Sequence, residues 1–278
     1  AKLQRDKIRE AAEAGKGIQP MMMEYYLYSD GESVLLEDHV VSAVALERDG
    51  NMVTGYKARD FEPIHLSLIS GGLEMVEMIY YMFLNYGGLE AFLTDCGGNF
   101  AVMDGGVLAN TVKVSKDNRW AAYLTVESDA DVERDLMLMK LDGTNQAELV
   151  AENVLDFGFL SEDGTLGYFC EDENGVGVLR IHDGGEINDV TDTTFAEDMN
   201  RVYYIRNLGV EDGVGMMQHW DGEGEPVTVD GGISSYQYEG FGRLQLLYHY
   251  DDQEQTFDLG YYDGEGVTML DEGVNAIY

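Results

Sequence analysis

Short apolar runs rich in aromatic residues recur along the chain, and each ends at a polar turn. The instances are Tyr25–Ser29 before Asp30-Gly31, Leu136–Leu141 before Asp142-Gly143, and Val178–His182 before Asp183-Gly184. Met217–Trp220 before Asp221-Gly222 and Leu259–Tyr262 before Asp263-Gly264 complete the set. Alternating apolar runs joined by Asp-Gly predict β-hairpins, with a type I′ turn that places both central residues at positive φ. The turns at 142, 183, 221 and 263 are separated by 41, 38 and 42 residues. That is the length of a four-stranded propeller blade.

A second marker lies between these turns, a polar corner that feeds an aromatic strand. Ser115-Lys-Asp117-Asn118 precedes Trp120–Tyr123, Ser161-Glu-Asp163-Gly164 precedes Leu166–Phe169, Ala196-Glu-Asp198 precedes Val202–Tyr204, and Arg48-Asp49-Gly50 precedes Met52-Val53. A slide of 46 residues carries Gly97 onto Gly143, Asn99 onto Asn145, Ser115 onto Ser161 and Asp117 onto Asp163. Cys96-Gly97-Gly98 therefore replaces Asp-Gly in its unit. One interval is too long by about a helix. Within 70–86, Leu73, Val76, Tyr80, Phe83 and Leu84 share a face at helical spacing and Gly87-Gly88 supplies a stop, so a helix is expected there, between the third and fourth strands of one blade.

The fold expected is all-β: a β-propeller of about six four-stranded blades, with seven blades or an open stack as alternatives, one inserted α-helix near 70–86 and a short N-terminal helix. Five contiguous units span 41–109, 110–153, 154–190, 191–230 and 231–272. The sixth would join Tyr25–Leu36 to Val274–Tyr278 and so close the ring. Residues 1–17 read as a helical linker and 18–278 as one propeller domain.

The residues Ser161-Glu-Asp163-Gly164-Thr-Leu-Gly-Tyr168 and Asp135-Leu-Met-Leu-Met-Lys-Leu-Asp142-Gly143-Thr-Asn-Gln-Ala-Glu-Leu-Val150 resemble the WD40-like repeat of TolB-type propellers. The match is best over 115–190 and lacks the family's usual Pro after Ser. The Tyr-rich, acidic units with one insertion are also similar to uncharacterised propeller regions of bacterial surface proteins. The resemblance implies an extracytoplasmic protein–protein platform, secreted or tethered to a membrane by a segment outside this chain, and carries over no individual binding residue.

Charge changes the picture of partners. Asp and Glu number 53 against 17 Lys and Arg, a net charge of −36 in 278 residues, and after Asn207 the only basic side chain apart from histidine is Arg243. Such a field repels nucleic acid and anionic membrane surfaces and favours cationic ligands, basic proteins or divalent metals, although solubility alone also accounts for it. The two cysteines, Cys96 in a turn and Cys170 on a strand, make no disulfide framework. There is no apolar run of about 18 residues to span a membrane. No signal peptide is visible, and a start at Ala1 reads as a mature or truncated product.

Motifs for chemistry are sparse. Zincin, nucleophile-elbow, P-loop and Rossmann patterns are absent, and the five histidines are scattered, His182 and His219 just before Asp-Gly turns. The corners share Ser and Asp with the Asp box of sialidase-type propellers but misplace its Gly. Beyond residue 134 only Arg180, Arg201, Arg206 and Arg243 are available for the arginine clamp such an enzyme needs. Glycoside hydrolysis by two carboxylates is a competing function. Asp129, Asp131, Glu133 and Asp135 alternate in one loop and form a candidate calcium site, and Glu171-Asp-Glu-Asn174-Gly175 forms a second acidic loop. Neither has EF-hand spacing, and like-charge runs ordinarily stay solvated. The expected function is a non-catalytic interaction module that binds a protein or glycan through a propeller face. A carbohydrate-active enzyme and a structural spacer are the alternatives.

Overall fold

The computed structural model describes residues 23–29, 32–45, 52–58, 89–95, 100–108, 110–126, 134–196, 198–207, 214–251 and 256–275. These residues form β-strands and turns only, so the fold is all-β and, from the packing below, propeller-like. The expected helices at the N-terminus and near 70–86 fall outside the described residues, as do Asp30-Gly31 and Cys96. The chain divides into two compact units, one of residues 1–113 and 121–152, the other of residues 114–120 and 153–278.

In the first unit, β1 (Met23–Ser29), β2 (Glu32–Ala45), β3 (Met52–Ala58), β4 (Leu89–Asp95) and β5 (Phe100–Val107) follow one another as an antiparallel meander. The single pair Val107↔Thr125 joins it to β7 (Trp120–Val126), which continues to β8 (Arg134–Lys140) and β9 (Ala147–Ala151); β6 is the short Lys113–Val114. β2 is long because it serves two repeats: from Val40 back to Glu32 it pairs with β1, and from Val40 on to Ala45 with β3. The inserted stretch thus begins after β3, whose Ala58 lies opposite Leu89 at the start of β4. With the second half of β2 as first strand, the insertion sits between the second and third strands of its repeat, not the third and fourth as expected. β4 and β5, paired with each other as β8 and β9 are on either side of Asp142-Gly143, are then the third and fourth strands of their repeat, which fixes the count. The tip of the Phe92 ring abuts Gly55, where a Cβ would come within 2.0 Å of it, and the Tyr56 hydroxyl accepts the Asn110 N–H at 2.8 Å.

In the second unit, β10 (Val154–Phe159), β11 (Leu166–Glu171), β12 (Gly177–Ile181) and β13 (Glu186–Asn188) form a complete four-stranded meander. The next meander is β14 (Val190–Ala196), β15 (Arg201–Arg206), β16 (Gly215–Trp220) and β17 (Val227–Gly240), followed by β18 (Arg243–Asp251), β19 (Thr256–Tyr262) and β20 (Val267–Asn275). β17 repeats the device of β2, with Val227–Ile233 on β16 and Ile233–Gly240 on β18. Val274 and Asn275, expected in a closing strand, instead pair with Phe257 and Thr256 as the end of β20.

The three meanders of this unit stack face to face. Leu160, Leu179, Ile181 and Ile187 of the first meet Val190, Phe195, Val202, Tyr204 and Trp220 of the second in one core cluster. Ala196, Tyr203, Ile205 and Met217 of the second meet Ile233, Leu244, Leu246 and Tyr262 of the third in another. β15 shows why its sequence, Arg201-Val-Tyr-Tyr-Ile-Arg206, is a continuous apolar run: Val202 and Tyr204 face one neighbour, Tyr203 and Ile205 the other. A strand buried on both faces has no polar side to alternate with. Sheets stacked through two such seams are the packing of propeller blades.

Candidate functional site

The Asp-Gly turns decide which carboxylates are left to face solvent. At Asp142, Asp221 and Asp263 the side-chain oxygen accepts the backbone N–H two residues on, from Thr144 at 3.0 Å, Glu223 at 3.1 Å and Glu265 at 2.9 Å. The glycine alone is left-handed there, with φ 88° at Gly143, 89° at Gly222 and 102° at Gly264. Among the described Asp-Gly turns only Asp183 has positive φ at the aspartate, 59°. The expected type I′ geometry is therefore corrected to an Asx-capped turn. An aspartate that hydrogen-bonds its own backbone gains more than one forced into left-handed space. The hydroxyl and N–H of Thr144 and the Lys140 ammonium hold the Asp142 pKa down to about 2.

The second acidic loop is used in the same way. Asp172 Oδ1 accepts the N–H groups of Asn174 at 2.8 Å and Val176 at 2.9 Å, which lower its pKa. Of the candidate calcium ligands, Asp129, Asp131 and Glu133 lie outside the described residues and Asp135 is on β8. Among the described residues no group of three or more His, Cys, Asp or Glu side chains is placed to hold a metal ion. His182 and His219 precede their turns as expected, and His219 is half-buried against Tyr203, with burial and then Arg201 lowering its pKa. Cys170 is buried, and burial raises its thiol pKa. The four arginines are used separately: Arg180 on Glu186, Arg206 on the Asn188 carbonyl, Arg243 on the Gly240 carbonyl, and Arg201 beside Tyr203.

The polar corners of neighbouring repeats touch one another. In Ser115–Trp120 the Ser115 hydroxyl bonds Asp117 at 2.6 Å and receives the Trp120 N–H at 3.0 Å, and in Ser161–Thr165 the same hydroxyl receives the Thr165 N–H at 2.9 Å. Trp120 packs on Gly164, and Asp117 N–H reaches the Glu162 carbonyl at 3.2 Å. The 46-residue alignment thus pairs corners that are neighbours in space.

A third repeated element was not read from the sequence. In the second unit each first strand opens with a left-handed residue, a buried β-branched anchor and a β-bulge. Asn153 (φ 56°), Asp189 (φ 65°) and Gly232 (φ 75°) precede Val154, Val190 and Ile233, all 0–1% exposed. The ladder slips immediately afterwards, between Val154 and Asp156, Val190 and Asp192, and Ile233 and Ser235, and likewise between Val40 and Ser42. Bulges re-aim side chains. Here they turn Leu155 and Thr191 out of the ladder, and leave Asp156 accepting the Phe157 N–H at 2.8 Å. Surrounding protein strips water from the Asp192 carboxylate and raises its pKa, against the opposing hydrogen bond from the Thr193 N–H.

Two of these bulges border a groove of about 550 Å³ at one end of the seam between the β10–β13 and β14–β17 meanders. Its wall is apolar at Leu155, Phe169 and Val176 and polar at Glu171, Asp189, Thr191 and Asn207. Leu155 is 46% and Val176 37% exposed. The groove is rigidly framed. Asn207 N–H donates to the Asp189 carbonyl at 2.7 Å and Arg206 Nε to the Asn188 carbonyl at 3.1 Å. Gly177 approaches so closely that a Cβ would stand 2.0 Å from the Val190 carbonyl oxygen. Its residues come from five separate stretches of chain, and only Glu171 and Gly175 belong to a loop the sequence marked.

No family model matches the chain, and no curated protein matches it. Among solved structures it is similar to the β-propeller domain of the Trilobed protease from Pyrococcus furiosus, at 11% identity and TM-score 0.47 over 80% of this chain and 69% of that one. It is also similar to the acylaminoacyl peptidase of Pyrococcus horikoshii, at 13% identity and TM-score 0.42, spanning 79% of this chain and 37% of the peptidase. A protein of unknown function from Desulfotomaculum acetoxidans is similar at 12% identity and TM-score 0.39, over 93% of this chain and 80% of that one.

Proposed function

We propose that this chain is a non-catalytic, extracytoplasmic interaction module that takes a protein ligand into the groove between the β10–β13 and β14–β17 meanders. The observation that carries the reading is the joining of exposed Leu155 and Val176 to the acidic side chains of Glu171 and Asp189 around one framed cavity. Apolar side chains that stay exposed beside a rigid concave wall suit a contact with another molecule. The carboxylates, in a chain of charge −36, select the sign of that contact. The ligand is a segment with an apolar side chain next to lysine or arginine, drawn in by the field and held by burial of the apolar group.

Fluorescence anisotropy against matched peptides, one series with lysine and one with glutamate beside a leucine or phenylalanine, tests it. The basic series binds and weakens with salt, and Leu155→Lys, at an exposed position, removes binding without loss of fold. Equal binding of both series, or binding indifferent to Leu155→Lys, sinks the proposal.

A further inference from the structure

The turn between β17 and β18 holds a feature that neither folding nor the groove explains. Gly240, Phe241 and Gly242 are all left-handed, with φ 92°, 52° and 75°. Glycine adopts such values freely, whereas a bulky aromatic does so rarely and only where its surroundings fix it. The surroundings do fix it. Phe241 N–H donates to Asp198 Oδ2 at 2.6 Å, across from the preceding meander, and the Tyr238 hydroxyl donates to Asp198 Oδ1 while accepting the Gly242 N–H at 3.2 Å. The ring so held is not packed inside: Phe241 is 75% exposed. Glycine or asparagine would suit the turn better, and the core does not receive the phenyl group.

What surrounds the ring indicates its use. The Arg243 guanidinium lies 5.8 Å from the ring centroid, and Arg243 is the one Lys or Arg in the chain beyond Asn207. Gln245 Nε2 donates to Glu239 Oε1 on the same hairpin. The hairpin that carries this flat apolar surface therefore also carries a strong donor over the ring and, on its strands, a strong acceptor and an amide that is both. A cationic ligand meets Arg243, and an anionic one meets Glu239 and the field of the whole chain. A hydroxyl group both donates and accepts, so a neutral polyol suits both kinds of group while its C–H surface covers the ring.

We propose that the Gly240-Phe241-Gly242 turn is a binding tip for a neutral sugar ring, which stacks on Phe241 and bonds its hydroxyls to Glu239, Arg243 and Gln245. The site is separate from the groove and stands without it.

Saturation-transfer NMR with neutral oligosaccharides of glucose, galactose and mannose tests the proposal on the whole chain. At least one series shows transfer to its ring protons, and Phe241→Gly weakens it about tenfold or more while the unfolding midpoint holds or rises, because glycine relieves the left-handed strain. Glu239→Ala weakens the same series, and Leu155→Lys leaves it unchanged, which separates this site from the groove. The proposal is overturned by absence of transfer at millimolar sugar, by unaltered transfer in Phe241→Gly, by a preference for anionic oligosaccharides, or by a fall in midpoint that makes the ring structural.

Discussion

The carboxylate of Asp198 accepts the backbone N–H of Phe241 at 2.6 Å across 43 residues of sequence, so the polar corner of one repeat fastens the equivalent corner of the next. Burial opposes ionisation of Asp198, but the hydrogen bonds from the Tyr238 hydroxyl and the Phe241 N–H outweigh it and lower the pKa. A carboxyl with a depressed folded pKa contributes stability above its unfolded pKa, and the contribution is lost as pH falls through the folded one. Asp198→Ala is expected to cost about 1–2 kcal/mol near neutral pH, reduced from the buried-pair range by exposure. Denaturant titrations of both proteins should converge below the ordinary carboxylate range; a gap that persists in acid contradicts the account.

Asp192 has the opposite sign. Its raised pKa means the folded chain disfavours the ionised form, so its contribution is complete below the unfolded pKa and is lost as pH rises through the folded one. Asp192→Asn should therefore raise the unfolding midpoint near neutral pH and lose that advantage in acid. A thermal scan in which the variant gains nothing at neutral pH refutes this.

Two glycines with different demands separate close approach from backbone conformation. Gly177→Ala pushes a methyl group against the Val190 carbonyl and is expected to cost about 3 kcal/mol or more, at the upper end for an overpacked site. Gly143→Ala meets nothing within 4 Å and bears only its φ of 88°, a cost of about 1 kcal/mol. Equal midpoints in urea for the two variants would show that β12 moves away from the corner at little cost.

The acidic stretch of Asp129, Asp131, Glu133 and Asp135 is tested by unfolding with EDTA, calcium and magnesium. A bound calcium ion raises the midpoint by mass action, more than magnesium does, and Asp131→Asn removes the rise while Asp172→Asn, whose carboxylate serves its own turn, leaves it. An equal response to both ions is screening of the net charge.

The repeat was legible because Asp-Gly is a strong local signal, and an aspartate capping its own turn recurs at 142, 221 and 263. The type of turn was not legible, since Asx capping and type I′ geometry draw on the same two residues. The Val-x-Asp and Ile-x-Ser corners passed unnoticed for a different reason. A bulge has no compositional mark, and its anchor looks like any other strand valine. The groove is further from sequence still, since Leu155, Phe169, Val176 and Asp189 meet only after two sheets stack. Phe241 was hidden by its flanking glycines, which look like an ordinary loop until their φ values and the Asp198 bond are known.

β17 belongs to two meanders at once, and there is no linker between them at which one meander could come away. Opening the hairpin with β18 pulls directly on the residues that hold β16, so the last two meanders should lose amide protection together, as one cooperative element. A repeat of this kind cannot be deleted or duplicated at its apparent boundary without cutting a strand. The natural unit of exchange between such chains runs from the middle of one long strand to the middle of the next.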